Sequence, residues 1–264
     1  MPGAIWTGTI SFGLVTVPVR MVSATRDLDV HFHQIDAETR ERIEIRRVCA
    51  QDEQEVAWEE IGRGYELDGQ LVTLTDEELA SAAPQRTHTI EIEEFVDAGA
   101  IDPAQLDKPY FLLPDSDAEA VTRAYRLLRD AMARSDRVAI GHVVLRSNEY
   151  LVALRERDGL LALTTMFFAD EIRDASEIGA VPAGDAASVS PAEVTTAVQL
   201  VDALSQDFDP ARYEDRNRER LLALIHSKQK SKKAKPKPAQ EPAAPQPVPD
   251  LMAALKRSLE RARQ

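Results

Sequence analysis

Two apolar runs, residues 149–156 and 160–168, flank the dipeptide Asp158-Gly159. That pair suits the tight two-residue turn in which both central residues take positive φ, so the stretch reads as a β-hairpin. The opening segment, residues 4–24, has the same period. Its apolar side chains alternate at Ile10, Phe12 and Leu14, then change phase to Val15, Val17, Val19 and Met21. The change of phase beside Gly13 predicts a bulge or bend, and Pro18 predicts an edge position or bulge because proline cannot donate to a ladder. Further strands are expected at residues 43–48, 70–74, 88–96, 109–113 and 137–146. The body is therefore β-rich and mostly antiparallel.

Helical spacing enters in four places. Residues 118–134 put Val121, Tyr125, Leu128 and Met132 on one face, with Ser116 or Asp117 as N-cap. Ser190-Pro191-Ala192-Glu193 combines a capping serine, a first-turn proline and a glutamate three residues on. An apolar face then continues to Phe208, Asp209-Pro210 breaks it, and a second amphipathic helix is expected over Tyr213 to Ile225. At the C-terminal end, Leu251, Met252, Leu255 and Leu259 fall at helical spacing behind Asp250 as N-cap. A helix this short is marginal alone and calls for a partner to dock on.

Charge is divided unevenly. From residue 226 onward the chain carries 7 lysines and 3 arginines against 3 acids, a balance of +7, while the rest holds −20; together they give the net −13. An acidic body with a basic tail suggests nucleic acid as the tail's partner, and equally a solvated tail that serves solubility. Lys108 is the only lysine before the tail. The tail residues 228–237 read KQKSKKAKPK, and six prolines follow between 236 and 249, a composition that cannot bury a core. No apolar run is long enough to span a membrane, the N-terminus has no secretory pattern, and the single Cys49 suits a reducing cytosol. A cytoplasmic, nucleoid-associated protein is expected.

A search for catalytic patterns finds no P-loop, dinucleotide glycine pattern, nucleophile elbow or HExxH. His31 and His33 alternate in VHFHQ without a further ligand at a metal-binding spacing, so a structural role is the better reading. The acidic clusters at Asp52-Glu53-Gln54-Glu55, Trp58-Glu59-Glu60 and Asp76-Glu77-Glu78 read as solvated faces. Cys49 has no second cysteine for zinc. No metal, cofactor or catalytic residue is assigned, and the protein is expected not to be an enzyme. A metal-dependent acidic-site nuclease is the weakest of the alternatives, behind a basic-tailed architectural protein that compacts DNA.

The opening AIWTGTISFGLVTVPVRMVSAT, then HFHQID and RRVC, resembles the start of bacterial Ku proteins of non-homologous end joining. The likeness continues in the same order through YELDGQLVTLTDEEL, TIEIEEFVDAGAIDP, PYFLLPDS, SDRVAIGHVVLR, FFADEIR and FDPARYEDRNRERLLALI, and covers most of residues 4–225. The resemblance implies a mixed α+β, β-rich fold. An antiparallel β-barrel core with an arch insertion that encircles DNA would fill residues 1–189, and a helical arm residues 190–226. A disordered Lys/Pro-rich linker, 227–249, and a short amphipathic helix, 250–264, would follow.

It also implies a homodimer that rings linear double-stranded DNA ends without reading sequence, and that recruits the ATP-dependent ligase of bacterial end joining. Candidates for the DNA-facing wall are Arg20, Arg26, Arg40, Arg42, Arg46, Arg47 and Arg146, each of which has surface ion pairing as its alternative role. Lys228, Lys230, Lys232, Lys233, Lys235 and Lys237 would add a salt-sensitive grip on flanking DNA. Dimer contacts are assigned to Val138, Ile140, Val144, Val194, Val198 and Val201, and partner binding to Leu251, Met252, Leu255 and Leu259. Many relatives carry a paired cysteine near the RRVC position. Here only Cys49 is present, so packing that involves Trp58 is expected to replace it.

Overall fold

Strands β1 (Trp6–Phe12) and β2 (Val15–Ser23) pair antiparallel with Phe12 opposite Val15, which leaves Gly13 and Leu14 as a two-residue loop. Gly13 has φ +58° and Leu14 is fully exposed. The change of phase expected as a bulge is thus a reversal of the chain, with glycine at the position that requires positive φ. The computed structural model describes residues 3–84, 87–179, 189–230 and 251–262. They fall into two compact units, one of Met1–Asp27 with His33–Asp174, the other of Leu28–Phe32 with Ala175–Gln264.

In the first unit the chain continues through β3 (Arg63–Leu67), β4 (Gln70–Leu74), α1 (Asp76–Ala82), β5 (Thr89–Asp97), β6 (Leu106–Pro114) and α2 (Glu119–Ser135). It ends through β7 (Arg137–Leu145), β8 (Asn148–Arg157) and β9 (Leu160–Met166). Seven strands close into a barrel in the order β1-β2-β6-β9-β8-β7-β5, and β3 with β4 forms a separate hairpin. All neighbours are antiparallel except β1 and β5, which close the barrel in parallel through residues 9–11 beside 89–91. A parallel neighbour needs a long crossover, and residues 24–88 lie in that connection.

Because the barrel is closed, β2 is not the edge strand that Pro18 suggested. The β2–β6 ladder begins at Val19 opposite Pro114, so Pro18 lies just past its end and costs no ladder bond, while its carbonyl accepts from the Asp115 amide at 3.2 Å. The strand expected at 43–48 does not form. That stretch holds only single bridges, Ile35 with Arg42 and Val48 with Glu55, and Ile43 and Ile45 remain exposed without a neighbouring ladder.

Ile10, Val17, Val19, Met21, Leu112, Val152, Leu154, Leu161 and Leu163 fill the barrel with essentially no exposure, and Tyr125, Leu128 and Met132 of α2 join them. The Tyr125 hydroxyl donates to the Leu112 carbonyl at 2.8 Å and accepts from the Leu161 amide at 2.9 Å, tying helix to barrel. Burial pushes its ionisation upward, against the lowering effect of the Leu161 amide. The Arg129 guanidinium reaches the Gly159 carbonyl at 3.3 Å, so α2 lies at the barrel end that carries the Asp158-Gly159 hairpin. Neither Ser116 nor Asp117 caps α2: its N-cap is Ala118, with no side-chain bond, and its C-cap Asp136 is left-handed at φ +51°.

Three two-residue hairpins share one backbone form. Asp68-Gly69, Asp158-Gly159 and Arg146-Ser147 all have positive φ at both residues, the last at +53° and +81°. Only the third lacks glycine, and a side chain in that region costs roughly 1–2 kcal/mol.

The second unit holds α3 (Ala175–Ile178), α4 (Pro191–Leu204), α5 (Arg216–Lys230) and α6 (Leu251–Ala262). α4 begins as expected. The Glu193 amide donates to Ser190 Oγ at 3.3 Å and the Ser190 amide to Glu193 Oε2 at 2.8 Å. It stops at Leu204, short of Phe208, whose ring instead meets Tyr213 at 5.8 Å. α5 starts at Arg216, where Asp215 accepts from the amides of Asn217 and Arg218, and it runs through Lys230, past the expected boundary at 226. Residues 231–249 of the expected linker, and Asp250, lie outside the described residues.

Candidate nucleic-acid interface

Residues 24–88 contribute no buried side chain among those described. Between 33 and 74 the exposed large apolar residues are Ile35, Ile43, Ile45, Val48, Trp58, Ile61, Tyr65, Leu67, Leu71, Val72 and Leu74. Local hydrogen bonds hold this arm together in place of a core. Asp36 Oδ1 accepts from the amides of Glu38 and Thr39 and from the Thr39 hydroxyl, closing a turn in which Arg40 has φ +63°. These bonds, the Thr39 amide first, hold the Asp36 carboxyl below the usual carboxylate range. A second turn is closed by the Cys49 amide on the Gln54 carbonyl at 2.8 Å. The Arg47 guanidinium lies 4.7 Å from the centre of the Trp58 ring, a cation–π contact two residues before Cys49, while Trp58 itself is 69% exposed.

Four of the candidate arginines, 40, 42, 46 and 47, therefore sit together in the arm. Arg46 is shared between Glu44 at 3.7 Å and Glu55 at 3.6 Å, and both partners are exposed. Such exposed pairs are worth little and are exchanged readily for phosphate. Arg20 lies half-buried on β2 and Arg26 is exposed just after it. Arg146 is at the tip of the strained β7–β8 hairpin, at the barrel end opposite α2.

That open end also holds Lys108, which the charge pattern did not mark as a site residue. Between Leu106 opposite Met166 and Pro109 opposite Thr164, two residues of β6 face Thr165 alone, a β-bulge. Thr165 Oγ1 accepts from the Lys108 amide at 3.0 Å and lies 3.2 Å from Asp107 Oδ2, to which it donates. Arg146 and Lys108 line one cavity of about 250 Å³ with Trp6, Tyr110 and Tyr150.

A family model for the "Ku70/Ku80 beta-barrel domain" matches residues 11–196. The chain belongs to the Ku family. Curated relatives carry the name non-homologous end joining protein Ku. The one from Anaeromyxobacter sp. (strain K) is 43% identical over 100% of this chain and 87% of its own length. Ku 1 of Saccharopolyspora erythraea is 42% identical over 100% and 80%. The protein from Mycobacterium tuberculosis is 40% identical over 97% and 94%.

The basic residues of this Ku chain extend beyond those the lysine-rich pattern singled out. Arg216, Arg218 and Arg220 lie in the first two turns of α5 and Lys228 near its end; the RNRER run was the available signal. Nothing is described of the side chain of Lys230, and Lys232, Lys233, Lys235 and Lys237 lie outside the described residues. Of the residues assigned to dimer contact, Val138 is 4% exposed within a satellite core of Ala153 and Met166, so it has no surface left for a second subunit. Ile140 and Val144 are half-buried, while Val194, Val198 and Val201 are exposed on α4.

In the Ku chain's terminal helix the expected partner-binding face is already covered. α6 packs on α4, with Leu259 9% exposed, Met252 and Leu255 half-buried, and Thr196 Oγ1 3.7 Å from the Met252 sulfur. Nothing is described of the Leu251 side chain. Among the described residues no group of three His, Cys, Asp or Glu side chains gathers as a metal site, and no helix is long and apolar enough to cross a membrane.

Proposed function

We propose that this chain acts as a DNA-end-binding homodimer in non-homologous end joining, a scaffold without catalysis of its own. Two subunits ring linear duplex DNA without reading its sequence and hold the end for an ATP-dependent ligase. The observation that carries this reading is the arm. Eleven large apolar side chains stand exposed between Ile35 and Leu74 beside four clustered arginines, in a segment with no core. Apolar surface on that scale marks an interaction face, and arginine favours phosphate. A compact body of about 225 residues has a radius of gyration near 17 Å, too small to enclose a duplex alone, so a second copy is the partner that makes a ring. The exposed valines 194, 198 and 201 of α4 are assigned to the same dimer, and Arg20, Arg26, Arg40, Arg42, Arg46, Arg47 and Arg146 to the DNA-facing wall. Lysines 228 to 237 grip flanking DNA, and the terminal helix with Leu251, Met252, Leu255 and Leu259 is the segment offered to a protein partner once it leaves α4.

The test compares blunt linear duplex with the same DNA closed into a circle, for the full chain and for a chain ending at Lys230. End-dependent binding by both forms supports recognition by the ring. Equal binding to circles and linear DNA, lost on truncation, would replace this reading with a tail-driven architectural protein.

A further inference from the structure

We propose that the open mouth of the barrel is a binding site for a single unpaired nucleotide, its phosphate held by Lys108 and Arg146 and its base lying against Trp6 and the neighbouring tyrosines. This deepens the end-binding reading and rests on it for the source of the nucleotide, a strand terminus.

Three separate irregularities converge there. The β6 bulge, pinned by the buried Thr165, places the one lysine of the body on the cavity. The Arg146-Ser147 turn has Ser147 where both other turns of this shape have glycine, and its first residue, Arg146 at φ +53°, stands on the cavity. The Trp6 ring lies over Gly8, where any Cβ would meet both that ring and the His88 carbonyl. Trp6 stacks on His88 at 6.4 Å, which fixes the plane of the indole. Bulges and strained turns of this kind collect where a side chain must be aimed.

The chemistry of the lining selects the ligand. Trp6, Tyr110, Tyr150 and Leu145 rest on the barrel core and form an apolar, aromatic floor. Among the described residues Lys108 and Arg146, like Arg20, Arg40 and Arg42, form no ion pair, and they are the two cations that line this cavity. Asp107, the cavity's acid, is turned to Thr165. Two uncommitted cations above stacked aromatics suit a phosphate joined to a planar base, since base–aromatic stacking is tolerant of sequence. The cavity of about 250 Å³ lies just below the range of drug-sized sites and takes one nucleotide, not two.

Trp58→Phe in the full chain leaves Trp6 as the only tryptophan and hence the reporter. Its emission is titrated with dAMP, deoxyadenosine and inorganic phosphate, then with duplexes that end blunt or in one unpaired nucleotide. The expected result is a saturable change with dAMP at a concentration about tenfold below that for deoxyadenosine, and none with phosphate alone. Lys108→Gln or Arg146→Gln removes that tenfold advantage, and Arg146→Lys restores part of it. The paired change Arg146→Asn with Ser147→Gly relieves the turn, so it raises the melting temperature while weakening dAMP binding. The overhanging duplex reproduces the dAMP signal and the blunt one does not. No saturable change, or binding indifferent to both cations, overturns the site. A response to dAMP without one to the overhang, in a reporter that shifts linear duplex in a gel as the parent does, overturns the strand-terminus assignment. A parent chain, with Trp58 in place, that shifts no linear duplex sinks the end-binding reading, while dAMP binding by the reporter leaves the nucleotide site standing.

Discussion

Val152 and Leu154 on β8 and Ile43 and Ile45 in the arm follow one sequence pattern, apolar side chains two residues apart. The first pair is 1% exposed and the second 53% and 83%. Period-two spacing says that a face must be covered, not what covers it. In the barrel the cover is the chain's own opposite wall and α2. In the arm no such wall exists, and the proposed cover is a second subunit. Stability and assembly should therefore separate along this line when each region is cut.

The largest effect is expected in the barrel. Leu154→Ala removes a fully buried side chain and should cost about 2–5 kcal/mol in chemical denaturation. Ile45→Ser and Leu71→Ser change exposed positions, so the isolated subunit should stay within about 0.5 kcal/mol of the parent. Their effect belongs in sedimentation, as a shift from dimer to monomer. An arm variant as costly as Leu154→Ala, with unchanged sedimentation, would mean that the arm is folded onto its own chain.

Tyr125→Phe sharpens the barrel side. It keeps the ring but strips the Leu161 amide and the Leu112 carbonyl of one buried partner, so a loss of about 1–3 kcal/mol is expected. An unchanged midpoint would show that α2 is held by apolar contact alone. Ser190→Ala, in the second unit, removes the cap of α4 and should cost about 1 kcal/mol, read as faster amide exchange in the first turn of α4 with the barrel unaffected.

Legibility in the sequence follows this division only in part. β1, β2, the strands from β5 onward and helix α2 are visible because each carries an apolar face that the closed barrel covers, through partners far along the chain, such as Pro114 opposite Val19. The strand expected at 70–74 also forms, as β4, although its face is exposed. The strand expected at 43–48 fails because alternation needs a ladder beside it, and none reaches that stretch. Asp76-Glu77-Glu78, read as a solvated face, is the first turn of α1, with Thr75 and Glu78 forming a capping box. That signal was present and was masked by the abundance of acids. The Lys108 bulge had no local signature at all, since it depends on Thr165, 57 residues away. The Arg146-Ser147 turn was equally hidden, because nothing in the dipeptide predicts positive φ twice. The candidate arginines reached the arm and, with Arg146, the rim of the cavity; Lys108 and the rest of the lining needed the register of five strands.

The smallest effect tests how the arm keeps its shape without a core. The Asp36 carboxylate is held by the Thr39 amide and hydroxyl and the Glu38 amide, and its ionisation lies below the usual carboxylate range. A carboxyl depressed in the folded state stabilises its turn fully above the ordinary carboxylate range, and that contribution is lost as pH falls through the depressed value. Amide resonances of Glu38 and Thr39 should accordingly move with pH at a midpoint below that of an ordinary aspartate, and Asp36→Asn should abolish the movement. Leu161, whose amide is bound to a buried tyrosine hydroxyl, should stay still over the same range. A midpoint at or above the ordinary value would mean that the turn's hydrogen bonds do not persist in solution. The arm would then owe its order to the partner that covers it, and the contrast with the barrel would be wider than the single chain shows.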